Sequence, residues 1–319
     1  MPERSGWSPT LAVLVVNYGS HELIAENLAR SLDRDYAGLV IVVDNFTTVD
    51  EQRAVQELAS SEGWTCVPSA TNLGFGGGMN LAAQTAMDLG ARELLLLNPD
   101  AYIDRQSIAI LHERVALNDL ALVAPLVLRP DQRVFSELTD LCLDRGESRA
   151  RSKRSPDVPP GRVTPWVSGA CFAISARLWD LIGGFDEDYF LYWEDIDLCA
   201  RAAAEGATID VDERARAVHE PGSTQTDDPG RRIKSPEYYY YNIRNRLMYA
   251  SKHLDPVDRK RWRRLTAGTA YRVLLRGGRR QFLRPSGSIL PAIRGIRDGL
   301  RLLASANDRK GRTNVAPAP

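Results

Sequence analysis

The sequence predicts an α/β protein: a mainly parallel sheet flanked by helices, continued by a helical, basic C-terminal extension. Three observations carry that prediction. The first hundred residues alternate short apolar runs with segments of helical period. The apolar runs are continuous instead of alternating, as strands covered on both faces must be. Past about Lys252, basic residues such as Arg259, Lys260, Arg261, Arg263 and Arg264 outnumber carboxylates, although the 319-residue chain is formally neutral.

The elements follow in order. LAVLVV (11–16) is a strand and HELIAENLARSL (21–32) a helix. LVIVV (39–43), a helix around 50–60, a short strand near Cys66, a helix over about 78–89 and ELLLL (93–97) continue the alternation. ALVAPLVL (121–128) is a further strand. RSKRSPDVPPG (151–161) is polar, charged and proline-rich, and is expected to be a mobile loop. VTPWVSGACFAIS (163–175) is expected as one strand, followed by a short helix over 176–182 that stops at Gly183 and Gly184. A second helix is expected from about Asp195 to Glu205, with Gly206 as its C-cap. A helix over roughly 236–252 comes next, and then two basic amphipathic pieces. In the second piece Ile289, Ile293, Ile296, Leu300 and Leu303 form one stripe, with Arg294, Arg297 and Arg301 off it. The expected division is 1–250 as the catalytic part (about 10–128 and 129–250) and 251–319 as the extension with a disordered tail.

Composition narrows the class. Cys66, Cys142, Cys171 and Cys199 show no C-x-x-C pairing and are read as buried thiols of a reduced protein. The opening MPERSGWSPT lacks the regions of a signal peptide, and no run of roughly eighteen apolar residues occurs. A cytoplasmic protein is expected, with peripheral contact to an anionic membrane surface as the role of the basic extension. A helical cap or a self-association surface, giving a homo-oligomer, explains the same periodicity equally well. Nucleic acid is disfavoured, because only Trp262, Tyr271 and Phe282 interleave the cations.

Ligands of such sheets bind at the carboxyl ends of the strands. Asn17 and Tyr18, Asp44 and Asn45, and Asn98, Pro99 and Asp100 each follow a strand directly. Asp44 suits a ribose or base N–H, or caps a turn. TNLGFGGGMN (71–80) reads as a glycine-rich turn entering a helix, able to present bare N–H groups to phosphate or simply to turn. It fails the dinucleotide fingerprint, since Met79 holds the last glycine position, so a nicotinamide cofactor is disfavoured. Asp100 suits Mg2+ or Mn2+ beside a diphosphate, or closes a proline turn. His219 is a third candidate ligand or a surface residue.

FLYWEDIDLCAR (190–201) sets Glu194, Asp195 and Asp197 behind large aromatic rings. Asp197 and Arg201 are four apart and pair on one helix face. Glu194 and Asp195 open the helix, where its dipole favours charge while Phe190, Tyr192 and Trp193 desolvate it. That setting suits either a structural helix start or a general base.

Taken together, VVNYGS (15–20), VVDN (42–45), NLGFGGGMN (72–80), LLLNPDA (95–101), WVSGACFAISARLWDLIGGFDEDYFLYWEDIDLCAR (166–201) and HEPGST (219–224) resemble the inverting family-2 glycosyltransferases. The resemblance is to their bacterial rhamnosyltransferase branch and spans about residues 10–250 in the expected order. It implies a GT-A (Rossmann-like) fold and a role for each matching position. Val16, Asn17, Tyr18, Asp44, Asn72, Gly74, Phe75, Asn80 and Asn98 would line the nucleotide pocket, with Asp44 directed at the pyrimidine. Asp100 and His219 would hold a divalent metal, Mg2+ or Mn2+. Asp195 would be the catalytic base, with Glu194 as second choice. Trp166, Gly169, Ala170 and Trp193 would shape the sugar and acceptor side, and Arg244 would touch phosphate. The usual D-x-D metal motif has Asn98 in its first position, so metal affinity is expected to be modest before the nucleotide arrives.

The implied reaction moves a deoxyhexose, rhamnose from its dTDP form, onto a hydroxyl of a cell-envelope glycan or lipid-linked saccharide. UDP- or GDP-hexose donors are the neighbouring alternative. A catalytically silent nucleotide-sugar-binding scaffold at a membrane is the alternative from another class.

Overall fold

The computed structural model describes residues 10–32, 36, 38–220, 234–279, 282 and 285–313. Strand β1 (Leu11–Asn17) is buried along its whole length. Its side chains alternate between two cores: Ala12, Leu14 and Val16 face one layer, and Leu11, Val13 and Val15 face the other. That two-sided burial explains the unbroken apolar text.

Helix α1 (His21–Ser31), β2 (Leu39–Asp44), α2 (Val49–Glu62), β3 (Thr65–Pro68), α3 (Gly74–Asp88) and β4 (Glu93–Leu97) follow in the order expected. Thr48 caps α2 by accepting the Glu51 N–H, and Gly63 closes it at φ 73°. Then come β5 (Ala101–Ile103), α4 (Arg105–Leu117), β6 (Ala121–Leu128), β7 (Val134–Ser136), β8 (Thr139–Cys142) and β9 (Glu147–Ala150). The remainder comprises β10 (Val163–Trp166), β11 (Cys171–Ser175), α5 (Ala176–Ile182), α6 (Glu194–Ala204), β12 (Thr208–His219), α7 (Pro236–His253), α8 (Pro256–Leu275) and α9 (Ile289–Thr313). Helices α7 and α8 both start with a side-chain cap followed by proline, Ser235–Pro236 and Asp255–Pro256.

The main sheet runs β3-β2-β1-β4-β11-β6-β12-β5, with β7 paired to β6. Pairs β3–β2, β2–β1, β1–β4 and β6–β12 are parallel, while β11 and β5 run against their neighbours. One core is filled by α3, α5 and α6, the other by α1, α2 and α4. A small antiparallel sheet, β10-β8-β9, lies outside the main one.

The structure corrects several expectations. GFGGG is not a turn before a helix but the first part of α3 itself. The expected strand 163–175 is two strands in different sheets, broken at Val167–Ala170. The segment 131–162 carries β7, β8 and β9, and two 3-10 turns at 151–153 and 160–162. The apolar stripe expected on the last helix packs inward at Ile296, Leu300 and Leu303 but not at Ile293, which is 54% exposed while its neighbour Ala292 is buried. Contact there is made by small residues. A side chain at Gly295 would lie 2.6 Å from the Tyr240 carbonyl, and one at Gly299 would lie 2.8 Å from Leu247. The extension thus packs on α7 through two shared apolar clusters. Pro221–Thr224 of the HEPGST stretch, Arg280 and the tail beyond 313 lie outside the described residues. Among the described residues no helix is long and apolar enough to cross a membrane.

Candidate active site

The carboxyl ends of β1, β2 and β4 meet at one edge. Asn17 and Asp44 are register partners there, and both are fully buried. Asn17 Nδ2 donates to Asp44 Oδ1 at 3.0 Å, and Gln52 Nε2 donates to Asp44 Oδ2 at 3.1 Å. Each carboxylate oxygen of Asp44 therefore accepts one hydrogen bond from within the protein. Val16 is buried beneath this pair, and Tyr18 stands half exposed at the rim.

Asn45 binds the glycine-rich segment to this edge. Its Oδ1 accepts the Leu73 N–H at 2.7 Å, and its Nδ2 donates to Asn72 Oδ1 and the Gly74 carbonyl. Asn72 Oδ1 also accepts the Gly74 N–H. Gly74 has φ 77°, and a side chain on it would run into the Phe190 carbonyl. Only glycine satisfies both constraints. The Phe75 N–H donates to that same carbonyl, which docks the start of α3 on the loop leading to α6. Asn80 is committed elsewhere: its Oδ1 accepts the Phe185 N–H, and its Nδ2 donates to the Phe185 carbonyl and Glu187.

That loop is strained. Tyr192 and Trp193 both sit in the left-handed region, at φ 65° and 76°, immediately before α6. Two such non-glycine residues in succession persist only where surrounding contacts hold them. Asn245, buried in α7, supplies two of those contacts by donating to the Leu191 and Tyr192 carbonyls. Arg244 Nη1 donates to the Asp188 carbonyl and to Asn245 Oδ1.

The turn into α6 presents Asp195. Its Oδ2 accepts the Gly169 N–H at 3.2 Å and its Oδ1 accepts the Ile196 N–H at 2.8 Å. Burial pushes its carboxyl up to about 6, although the N–H bonds oppose the shift. Glu194 is more deeply buried. Burial and the neighbouring Asp195 charge hold its carboxyl well above the ordinary glutamate range, and its Oε2 has no partner. Asp197 is neutralised: its carboxylate takes Arg201 Nε at 2.8 Å and His253 Nε2 at 2.6 Å. Burial alone would raise its pKa, but His253 and Arg201 outweigh it and leave it lowered.

The edge of β4 lies alongside. The Asn98 N–H donates to the Ala170 carbonyl at 2.9 Å, next to the Gly169 N–H that holds Asp195. The Asp100 and His219 side chains meet at 2.9 Å and are both buried. Asn27 of α1 fixes the intervening turn by donating to the Pro99 carbonyl at 2.8 Å. Asn98 Oδ1 and His219 Nδ1 are buried without a partner. A carboxylate, an imidazole and an unpaired amide oxygen make a donor set that fits Mg2+ or, better, Mn2+. Among the described residues no cluster of three His, Cys, Asp or Glu side chains that could hold a metal occurs.

A profile of the family described as "Glycosyltransferase like family 2" matches residues 9–234, more than half of the chain. The chain belongs to that family. It is similar to a low-salt glycan biosynthesis hexosyltransferase of Haloferax volcanii, 26% identical over 78% of this chain and 79% of the relative. It is also similar to an N-acetylglucosaminyl-diphospho-decaprenol L-rhamnosyltransferase of Mycobacterium tuberculosis, 27% identical over 69% of this chain and 78% of the relative. Among solved structures, a mannosyltransferase from Pyrobaculum calidifontis in complex with GDP-Man and Mn2+ superposes with TM-score 0.53 at 17% identity, over 97% of this chain and 89% of that one. The glycosyltransferase has the GT-A fold.

In this glycosyltransferase the predicted residues group unevenly. Asp195, Gly169, Ala170, Asn98 and Asp100 share one edge, with His219 against Asp100. Several of the rings around α6 are taken up by packing. Tyr189 is buried, Phe190 stacks on Tyr241, and Trp193 packs against Tyr249 and Trp262. Trp166 bridges two apolar clusters. Arg244, expected at phosphate, holds the strained loop. Asn27, Gln52 and Asn245 were given no role from sequence, and Asn45 was noted only as a residue at a strand end. For Asn27 and Asn245 a signal existed, a helix-averse amide on an apolar helix face.

Proposed function

We propose that this glycosyltransferase is an inverting enzyme that moves a deoxyhexose, rhamnose from a dTDP donor, to a hydroxyl of a cell-envelope glycan or lipid-linked saccharide. The reading is carried by one observation: Asp195 sits on the Gly169 N–H beside the Ala170 carbonyl that holds Asn98. The base and the Asn98–Asp100 turn therefore border the same edge. The rhamnosyltransferase names of several relatives support the donor sugar. The hexosyltransferase name of the haloarchaeal relative supports a hexose donor as the second reading.

Asp195 takes the proton of the acceptor hydroxyl. The acceptor oxygen bonds to the anomeric carbon as the bond to the donor's phosphate oxygen breaks, and the nucleoside diphosphate leaves with that electron pair. Attack from the opposite face inverts the anomeric centre, so no second carboxylate is needed as nucleophile. The raised pKa of Asp195 makes it a better proton acceptor while leaving it ionised at neutral pH. Bound Mn2+ or Mg2+, held by Asp100 and His219, would neutralise charge on the departing diphosphate. The glycines at the start of α3 let it pack closely on Phe190, Phe185 and Val16, which ties this helix to the loop that carries Asp195.

The exposed face of α8 supports peripheral docking on an anionic inner-membrane surface. Val257 and Leu265 are exposed there beside Lys260 and Arg264. Flotation with anionic liposomes at low and high salt tests it.

For the reaction, dTDP-, UDP- and GDP-sugars are compared by thermal shift with and without Mn2+, followed by donor turnover. The dTDP-sugar is expected to give the largest shift. Turnover that survives in Asp195→Asn sinks the assignment.

A further inference from the structure

Asn17 ends β1 at the edge that carries Asp44, yet its amide is fully engaged inside the protein. Its Nδ2 donates to Asp44 Oδ1 and to Glu51 Oε1, each at 3.0 Å. Its Oδ1 accepts the Ser20 N–H at 3.0 Å and the Ser20 hydroxyl at 3.2 Å. A carboxamide has two donor hydrogens and two acceptor lone pairs, so Asn17 has nothing left for a ligand. It can only hold its neighbours.

One of those neighbours is Glu51, in the first turn of α2. Its Oε1 also accepts the His21 backbone N–H at 2.9 Å, and its Oε2 meets Nδ1 of the His21 ring at 2.7 Å. Ser20, the N-cap of α1, makes no side-chain cap of its own, so Glu51 caps α1 from another helix. The next residue, Gln52, donates to the other oxygen of Asp44. One turn of α2 thus brackets Asp44 from two sides. Each Asp44 oxygen keeps a free lone pair, and the bracket fixes its direction.

Charge makes this bracket sensitive. Asp44 and Glu51 are two carboxylates joined by one amide nitrogen. Burial would raise the Glu51 carboxyl, but the bonds from Asn17 and His21 outweigh it and leave it lowered. Asp50 and Glu22, in the first turns of α2 and α1, add further acid. Among the described residues His21 alone is ion-paired with Glu51, and no cation is ion-paired with Asp44. The His21 side chain is 35% exposed, so its proton exchanges with solvent.

We propose that Glu51 and His21 are a positioning pair for the donor: Glu51 aims Asp44 through Asn17, and protonated His21 cancels the charge that Glu51 adds to the edge where an anionic diphosphate must arrive. Donor affinity therefore falls as His21 loses its proton. This inference rests on the reading of Asp44 as the residue that meets the donor's base.

Calorimetry of the full chain with dTDP-glucose and Mg2+ tests it at about pH 5.5 and about pH 8, a range in which His21 can change charge and the doubly esterified diphosphate does not. His21→Gln keeps a hydrogen-bond donor for Glu51 but no charge. Wild type is expected to lose roughly three- to tenfold more affinity between the two pH values than His21→Gln does. Glu51→Ala, which releases the Asn17 amide, should weaken dTDP-glucose by about tenfold without weakening inorganic diphosphate, which has no base to meet. An equal pH effect in wild type and His21→Gln overturns the proposal, as does a Glu51→Ala variant that binds dTDP-glucose like wild type or loses diphosphate in parallel. His21→Gln alters only a partly exposed ring, so the charge arm decides even if Glu51→Ala fails to fold. Asp44→Asn is titrated alongside. If it binds dTDP-glucose like wild type, the reading of Asp44 fails and the pair with it. If it binds weakly while His21→Gln keeps the wild-type pH effect, the pair alone is lost.

Discussion

The Asn98 N–H and the Ala170 carbonyl are joined at 2.9 Å across the antiparallel pair β4–β11. One residue away on that same strand entry, the Gly169 N–H holds Asp195. This places the Asp195 carboxylate and the turn bearing Asp100 in one hydrogen-bonded framework. Displacing either element moves both.

Asp195 sets the pH dependence of transfer. Only its ionised form accepts a proton, and its pKa is raised to about 6 by burial. The rate is expected to climb through about pH 6 and level off above it, and Asp195→Asn to lower kcat by roughly 100-fold or more. A pH–rate profile of the wild type against this variant checks both.

Glu194 sets a stability dependence of opposite sense. Its folded pKa is raised, so its contribution is present at acidic pH and lost as pH rises through that value. Glu194→Gln removes the charging step. The melting temperature of the variant is expected to gain on the wild type as pH goes from 5 to about 9. A gap that stays constant across that range contradicts the assignment.

Gly74→Ala is expected to destabilise by roughly 1–3 kcal/mol, because φ is 77° and the new methyl group meets the Phe190 carbonyl. Donor affinity should fall along with stability, since the loop before α6 and the start of α3 shift together. Urea denaturation and nucleotide-sugar titration measure the two effects.

Asp100→Asn and His219→Ala are expected to weaken Mn2+ binding in the presence of nucleotide diphosphate by about tenfold or more each. Electron paramagnetic resonance of free Mn2+ reads this without activity. Chelator treatment of the wild type should lower transfer, and Mn2+ should restore it.

Asn245→Ala removes a donor from the Leu191 and Tyr192 carbonyls, at a cost of roughly 1–3 kcal/mol. The left-handed turn at Tyr192 and Trp193 then relaxes, so kcat should fall while donor affinity holds. Equal kcat in wild type and variant refutes a positioning role for Asn245.

The first half of the fold was legible because its strands are buried on both faces and read as LAVLVV, LVIVV and ELLLL. Strand β12 was not, since the charged run Asp212–Arg214 interrupts the apolar alternation of TIDVDERARAVH. It is held by parallel pairing to β6, with a register shift between Asp212 and Arg216, while Arg114 and Arg214 neutralise Asp212. The split of 163–175 was equally hidden, because the bend at Val167–Ala170 is set by Asn98 and Asp195, which are distant in sequence. Within the site, strand-end residues were visible from position alone. The partners of the holding amides Asn45 and Asn245 lie on other elements, so their contacts were not readable locally. The exposure of Ile293 in α9 was likewise hidden, because Gly295 and Gly299 and not that isoleucine lie against α7.

The family match ends at residue 234, just short of α7. A fragment cut at that border would carry Asp195 but lack Asn245, which keeps its turn in shape, and would also lose the helix on which α8 and α9 pack. Exchange of acceptor halves between relatives therefore has to move the last three helices together, or the transplanted carboxylate arrives without its splint.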